Sequence, residues 1–360
     1  MPQKYTDLES KYNGFNAPEC ELLFDGTSSA GQMAIGWVEV EQSTYSEADI
    51  ARICLINIFE WNPPEVKWIG STIKLGGNLQ VKMGYADKKG LVFEGIVTGY
   101  TIEYPAEGSP YAIVTAMDKS ILMMKSAHSK VWTKAKASDV VREIAGDYSL
   151  SATVDDTVIQ KKVIEQIGVS DYHFVQSLAN DHDYRFYVQG AKLIFQKINT
   201  SGEPTLLLHY GQSIRHFSLQ ADISGQIGAV KVMGYDTDKK EAIVGESTTV
   251  EAIGSGGGKT GPSHVTALTP KKTEIVYTQA DSQDEAKNLA KALLSRSARD
   301  LVRGSGSCTG VPELKAGDMI KITGIGAATF DQQLLLVKVI HRLDAEEGYI
   351  TSFEAEGNKI

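Results

Sequence analysis

The sequence predicts a mainly β protein carrying an α+β insertion and one long helix. Three observations carry this: short strands broken by turn residues open the chain, the same texture returns over its last third, and helical periodicity is confined to a few stretches between and within them. A chain of 360 residues and 39.1 kDa has room for roughly two to three domains. With 42% apolar and 22% charged residues it has the material for packed cores.

From Glu21 to Met124 the pattern is β. Val38-Glu39-Val40-Glu41 alternates, Ala51 to Phe59 is rich in β-branched residues, and Gly76-Gly77, Asp87-Lys88-Lys89-Gly90 and Glu107-Gly108-Ser109-Pro110 supply turns. Pro63-Pro64 interrupts any strand and reads as a loop. Strands spaced this regularly form a barrel or a sandwich. After Lys125 the texture changes. Ser138 is placed to cap a short helix with Val140, Val141, Ile144 and Ala145 on one face and Gly146 as its stop. A second helix starts near Ser170, carries Phe174, Val175, Leu178 and Ala179 at helical spacing, and ends around Asp181-His182-Asp183. Arg185 to Val188 and Lys192 to Lys197 then read as a hairpin turning at Gln189-Gly190.

β texture resumes at Thr205 to His209, Phe217 to Leu219 and Ala229 to Gly234, and is broken by Gly254-Ser255-Gly256-Gly257-Gly258, whose composition is that of a mobile loop. The strongest helix follows, with Ala286, Leu289, Ala290, Leu293, Leu294, Ala298, Leu301 and Val302 along one face. Ser282 and Glu285 make a capping box, Asp281, Asp284 and Glu285 sit at its positive end, Arg299 and Arg303 at its negative end, and Gly304 stops it. Met319 to Thr323, Leu334 to Ile340 and Tyr349 to Glu354 close the chain as strands. The organisation expected is an N-terminal arm (1–18), a first β module (19–126), an α+β unit (127–200) and a second β module (201–360). The last carries a flexible insertion at 241–280 and a helix at 282–303.

Charge and composition exclude several functions. No apolar run is long enough to span a bilayer, and the start, Met1-Pro2-Gln3-Lys4, is too polar for a signal peptide, so neither stable membrane insertion nor export is expected. Cys20, Cys54 and Cys308 have no C-x-x-C spacing and are expected as free, mostly buried thiols. Within residues 1–60 ten acids face three bases, so seven of the chain's nine net negative charges fall there. Such a region repels phosphate, which argues against sequence-specific nucleic-acid binding but suits the wall of a passage through which DNA must slide.

Gly254 to Thr260 resembles a P-loop, but position 253, where its first glycine belongs, is Ile253; Gly261-Pro262 follows directly, and no helix is expected for about twenty residues. The seven histidines show no metal-ligand spacing, and the neighbours in Asp181-His182-Asp183 point in different directions at a helix end. No nucleophile elbow or Cys–His signature appears. Neither a cofactor nor a metal is expected, and the pattern favours a structural or interaction protein.

Two stretches carry a resemblance. Gly168 to Phe195, with Ser170-Asp171, Tyr172, Leu178-Ala179, Tyr184, Phe186-Tyr187, Gly190 and Leu193, resembles the helix-plus-hairpin segment of the hub proteins of contractile injection machines, the phage late control D family and type VI secretion spikes. Val311-Pro312, Leu314, Gly317-Asp318 and Ile320, continuing through Gly324 and Gly326 to Leu336, His341-Arg342, Asp344, Gly348-Tyr349, Thr351 and Phe353-Glu354-Ala355, is similar to that family's closing strands. Phe93 to Thr98 with Ala116 to Leu122, and Val232 to Asp236, are weaker echoes.

The resemblance implies two similar tube-type β-barrels per chain, a homotrimer whose six barrels make a ring, and a non-enzymatic baseplate hub of a phage tail or phage-tail-like particle. Its implied partners are further copies of the chain, the tail tube protein, the central spike or needle protein and other baseplate proteins. It would be made in the bacterial cytoplasm and end in the virion or particle. Spikes of the secretion type continue into a needle where this sequence stops at Ile360, which resembles the phage arrangement with the needle on a separate chain. The rival readings are a type VI spike hub lacking its needle, a baseplate-associated wall hydrolase or nucleotide hydrolase using Lys259, and a carbohydrate-binding protein; Trp37, Trp61, Trp68 and Trp132 are dispersed and expected mostly in cores. Interface residues are expected on the tube-forming strands: Ile53, Ile56, Ile58, Val92, Ile96, Val230, Val232, Leu335, Val337 and Val339.

Overall fold

The computed structural model describes residues 3–29, 31–45, 47–236, 239–255, 257–269, 273–277, 280, 282–326 and 331–360. Expectations that fall on Met1, Pro2, Gly256, Asp281 and parts of 241–280 lie outside the described residues. The protein is mainly β. Its framework is twelve strands: β1 (Pro18–Phe24), β2 (Ala34–Ser43), β3 (Ile50–Ile56), β4 (Asn78–Tyr85), β5 (Lys88–Glu103), β6 (Tyr111–Met117), β7 (Leu206–His209), β8 (Ile214–Ala221), β9 (Val302–Thr309), β10 (Met319–Thr323), β11 (Gln333–Asp344) and β12 (Gly348–Gly357). The first six are ordered β2-β3-β6-β5-β4-β1, and the second six β8-β9-β12-β11-β10-β7. The order is the same in both.

The likeness extends to register. Between β2 and β3 the pairing slips between Ile35 and Trp37, and between β8 and β9 it slips between Ile214 and His216. Between β5 and β6 Gly99 pairs with Thr115 and Val97 with Ala116, skipping one residue; between β11 and β12 Lys338 pairs with Glu354 and Leu336 with Ala355, skipping one likewise. Such bulges bend a strand at a defined place. The repeats differ in their outermost strand, since β1 is antiparallel to β4 and β7 parallel to β10.

Neither sheet closes into the barrel the sequence suggested. The edge of β2 that would close the first is taken by β11, with Lys338 opposite Ser43 and Asp344 opposite Trp37, so both repeats merge into one fourteen-stranded sheet. They also share one core, in which Val38, Val40, Ile53 and Val114 meet Leu208, Ile320, Leu336 and Val339.

Residues between the repeats have a core of their own, built from Val140, Val141, Ile144, Phe174, Val175, Leu178, Phe186 and Phe195. Helix Asp171–His182 starts as expected, with the Ser170 hydroxyl accepting from the His173 N–H at 3.3 Å. The helix before it runs Ala137–Asp147 and follows Lys136, whose side chain makes no capping hydrogen bond; Ser138 lies inside its first turn, its N–H donating to Thr157 Oγ1, and Gly146 does not stop it. Two strands the sequence did not reveal, Ala127–Lys136 and Gln160–Ser170, form a separate ribbon. Phe59–Trp61 and Pro64–Val66 pair across a turn at Asn62-Pro63, so of the Pro63-Pro64 pair expected as a loop, Pro64 instead opens a strand, a position proline tolerates.

The long helix is Gln283–Arg299, with the Ser282 hydroxyl accepting from the Glu285 N–H at 3.2 Å. It stops short of the expected end. Leu301 is in a turn, while Val302 and Gly304 belong to β9. Ala229–Asp236, expected among the tube-forming strands, instead forms a small sheet with Glu241–Ser247 and Thr273–Tyr277, where Val230, Val232 and Ile243 pack under Ala286, Ala290 and Leu294. Gly245 permits this, because a Cβ there would lie 2.1 Å from the Ala286 carbonyl carbon.

Candidate assembly surface

The junction of β2 and β11 joins the two repeats and sets the geometry of everything beside it. Alternation puts Val38, Val40, Val339 and His341 on the core face, and Trp37, Glu39, Glu41, Lys338 and Arg342 on the other. On that outer face Lys338 reaches Glu41 at 2.6 Å, Arg342 and Arg52 reach Glu39 at 3.1 and 3.4 Å, and the Arg342 guanidinium lies 5.8 Å from the centre of the Trp37 ring. The hydrogen bond from Lys338 to Glu41 holds the ammonium above its ordinary pKa. Two of the acids counted towards an acidic passage are therefore matched by bases of the same chain.

Eight strands follow one another across this junction: β8-β9-β12-β11-β2-β3-β6-β5. At one end the outer edge of β8 has no strand partner among the described residues, and at the other the same holds for β5 over residues 97–103. Tyr100 is 37% exposed and Tyr104, just beyond β5, 60%.

The ten residues proposed from sequence for an interface are distributed unevenly. Ile53, Ile58, Val92, Leu335, Val337 and Val339 are buried within the chain, as are Val230 and Val232 beneath the long helix. Ile96 is half-buried and Ile56 is 44% exposed. The buried eight support strands from inside, so their side chains are unavailable to a neighbour. The residues that do line free strand edges, Tyr100 to Glu103 and His216 to Ala221, were missed because β8 is mostly polar and β5 runs beyond its apolar stretch.

The features weighed for catalysis are separated by the fold. Asp183 accepts two bonds from Arg299, His182 Nδ1 lies 3.1 Å from the Asn288 side-chain nitrogen, and Asp181 lies 4.0 Å from the Lys161 ammonium. Burial lowers the His182 pKa to about 4. Contrary to the sequence reading, a helix does open directly after the glycine-rich segment, at Gly261–Leu268, because proline is tolerated in a first turn. The segment is nevertheless occupied by the chain's own end. Lys259 and Ile360 exchange backbone hydrogen bonds, Lys359 Nζ donates to the Gly254 carbonyl at 2.8 Å, and Gly258, at φ 121°, lies against Ile360.

A cleft of about 500 Å³ runs between the α+β segment and the long helix, lined by Tyr45, Asp183, Arg185, Arg299, Arg303 and Glu356. Its charges are largely mated, Arg299 with Asp183 and Glu356, and Arg303 with Asp300. Among the described residues no group of three or more His, Cys, Asp or Glu side chains is placed to hold a metal. No described helix is long and apolar enough to cross a membrane. Cys54 and Cys308 are buried free thiols and Cys20 a half-buried one. Of the four tryptophans expected mostly in cores only Trp132 is buried; Trp37 and Trp68 are half-buried, and Trp61 is 74% exposed and meets the Phe59 ring edge-on at 79°, as Tyr104 does at 85°.

A family model described as the Alg8 N-terminal domain matches residues 19–345, which span both repeats and the segment between them. The chain belongs to the Alg8 N-terminal domain family. No curated protein matches its sequence. Among solved structures, the 43 kDa tail protein of prophage MuSo2 from Shewanella oneidensis is similar, with a TM-score of 0.70 at 13% identity, over 94% of this chain and 98% of that one. A tail protein from Neisseria meningitidis MC58 gives 0.68 at 12% identity, over 95% and 96%. An E. coli type VI secretion system component, described as similar to T4 bacteriophage tail proteins, gives 0.58 at 13% identity, over 94% and 77%. This member of the Alg8 N-terminal domain family thus shares the fold of phage tail proteins and of a secretion-system component.

Proposed function

We propose that the protein is a structural, non-enzymatic baseplate hub of a contractile phage tail or phage-tail-like particle. Three copies form a ring of six β repeats that joins the tail tube on one side to the central spike on the other. The observation that carries this reading is the duplicated strand order with bulges at matching positions. Two equivalent β repeats per chain let a threefold assembly present sixfold symmetry to a tube. Likeness in fold to tail proteins supports the same role. On this reading the protein resides in the virion or particle, and its partners are its own copies, the tube protein, the spike and neighbouring baseplate proteins.

Native mass measured over a range of concentrations tests the reading. A stable species of three chains is expected, and its averaged projection shows threefold symmetry with six similar lobes. A strict monomer at every concentration overturns it.

A further inference from the structure

The in-chain junction has a missing counterpart. We propose that β5 of one copy pairs antiparallel with β8 of a second copy, with Thr101 opposite Gln220 and Glu103 opposite Ser218. The inference rests on the ring reading and adds to it the contacting strands and their register.

The second repeat offers β11 to β2 of the first, and its own β8 is left without a partner on the outside. The first repeat has the matching strand, β5, but no β8 of the same chain lies beside it. Each chain thus has one junction made and two complementary halves of a second. The matching bulges set the register. Gly99 corresponds to Lys338 because both follow the skipped residue and pair with equivalent positions of β6 and β12. His216 corresponds to Trp37 by the same criterion on β8 and β2. Since Ile340 faces Glu41 and Arg342 faces Glu39 in the chain's own junction, Thr101 faces Gln220 and Glu103 faces Ser218 between copies.

Side-chain chemistry agrees with that register. Tyr100 and Leu219 correspond to Val339 and Val40, which are both 0% exposed in the finished junction, whereas Tyr100 is 37% exposed at its free edge. Pairing brings Tyr100, Ile102 and Tyr104 onto one face with Phe217, Leu219 and Ala221, continuing the shared core, and leaves Thr101, Glu103, His216, Ser218 and Gln220 on the polar face. Free edges of soluble proteins are usually protected by lysine, proline or a covering element. Neither Thr98 to Glu103 nor His216 to Ala221 contains lysine or proline. A second copy is the occupant because the two edges are halves of a junction that this chain already makes once.

The test is a cysteine pair in the full-length chain, Thr101→Cys with Gln220→Cys, exposed to mild oxidation. Directly opposed residues place their Cβ atoms about 4.5–5.5 Å apart, near enough for a disulfide after small adjustment. Reducible covalent oligomers are expected from the pair, at the level of the unmodified protein from either single variant, and at least about five-fold less from the off-register pair Thr101→Cys with Ser218→Cys. Leu219→Asp, with its fold checked by circular dichroism, is expected to weaken association at least about ten-fold by placing a charge on the apolar face. A multimer by native mass that neither crosslinks through this pair nor responds to Leu219→Asp overturns the pairing and leaves the ring reading standing. A monomer that never crosslinks overturns both.

Discussion

Arg299→Ala is expected to lower the free energy of unfolding by about 3–5 kcal/mol, the cost of removing one partner from a buried ionic group. Arg299 ends the long helix and donates in fork geometry to Asp183, Nη1 to Oδ2 at 2.9 Å and Nη2 to Oδ1 at 2.6 Å, while its Nε lies 3.7 Å from Glu356 on β12. All three side chains are largely buried, at 12, 18 and 9% exposure. Asp183 is itself held at φ 56° as the cap of helix Asp171–His182, so this one guanidinium ties the α+β segment to the helix and to the framework sheet. Without it two largely buried carboxylates lose the partner they share. Burial already raises the Glu356 pKa, and the Tyr45 hydroxyl donated to it is the main compensation left. Arg299→Lys keeps the charge but not the fork and is expected to lose about half as much. Urea unfolding followed by tryptophan fluorescence measures both; a loss below about 1 kcal/mol for the alanine variant would show that the network contributes no more than a surface pair.

Between pH 6.5 and 4 the protein is expected to lose about 3 kcal/mol relative to a His341→Gln variant. His341 lies on β11, 0% exposed, where Nε2 donates to the Leu314 carbonyl at 3.0 Å and Nδ1 is within 2.9 Å of the Tyr349 hydroxyl and 3.1 Å of Thr351 Oγ1. The carbonyl can only accept, so the ring is the neutral tautomer with its proton on Nε2 and its lone pair toward the hydroxyls. Burial lowers its pKa to about 4, and the nearby Lys315 charge acts in the same direction. The unfolded chain therefore takes up a proton at about pH 6.5 that the folded chain refuses until about 4. Stability from this residue is complete above the upper value, is lost as pH falls through the window, and changes no further below it. His182, also lowered to about 4, and Asp118, raised to about 6 by burial, titrate in both proteins and cancel in the difference. Stability profiles that run parallel through this range would show that the folded protein does protonate His341.

Much of the local structure was legible before any tertiary contact was known. Ser170 and Ser282 cap their helices because a hydroxyl beside a helix start satisfies an N–H that would otherwise lack a partner. The closing strands Met319–Thr323, Gln333–Asp344 and Gly348–Gly357 stand where their alternation placed them. β9 was not legible in the sequence. Its inward positions include Gly304 and Gly306, where an added Cβ would lie 2.9 Å from Leu334 and Phe353 respectively, so neighbouring side chains fill the space that apolar residues of the strand itself would have advertised. The ribbon Ala127–Lys136 with Gln160–Ser170 was hidden for another reason. It pairs with no other strand among the described residues, leaves Val131, Val163 and Ile167 exposed among lysines, and so lacks the one-sided pattern of a half-buried sheet.

The amino-acid order by itself determined that this protein is mainly β, where its closing strands lie, where two of the three longer described helices begin, and that its net negative charge concentrates at the front. Apart from the hairpin at Gln189-Gly190, which strand lies beside which was decided by the tertiary structure: that β11 takes the edge of β2, that neither repeat closes on itself, and that the outer edges of β5 and β8 have no strand partner among the described residues. The physical reason is that alternation specifies which face of a strand is buried, whereas neighbours are chosen through backbone N–H and C=O groups that are the same in every strand.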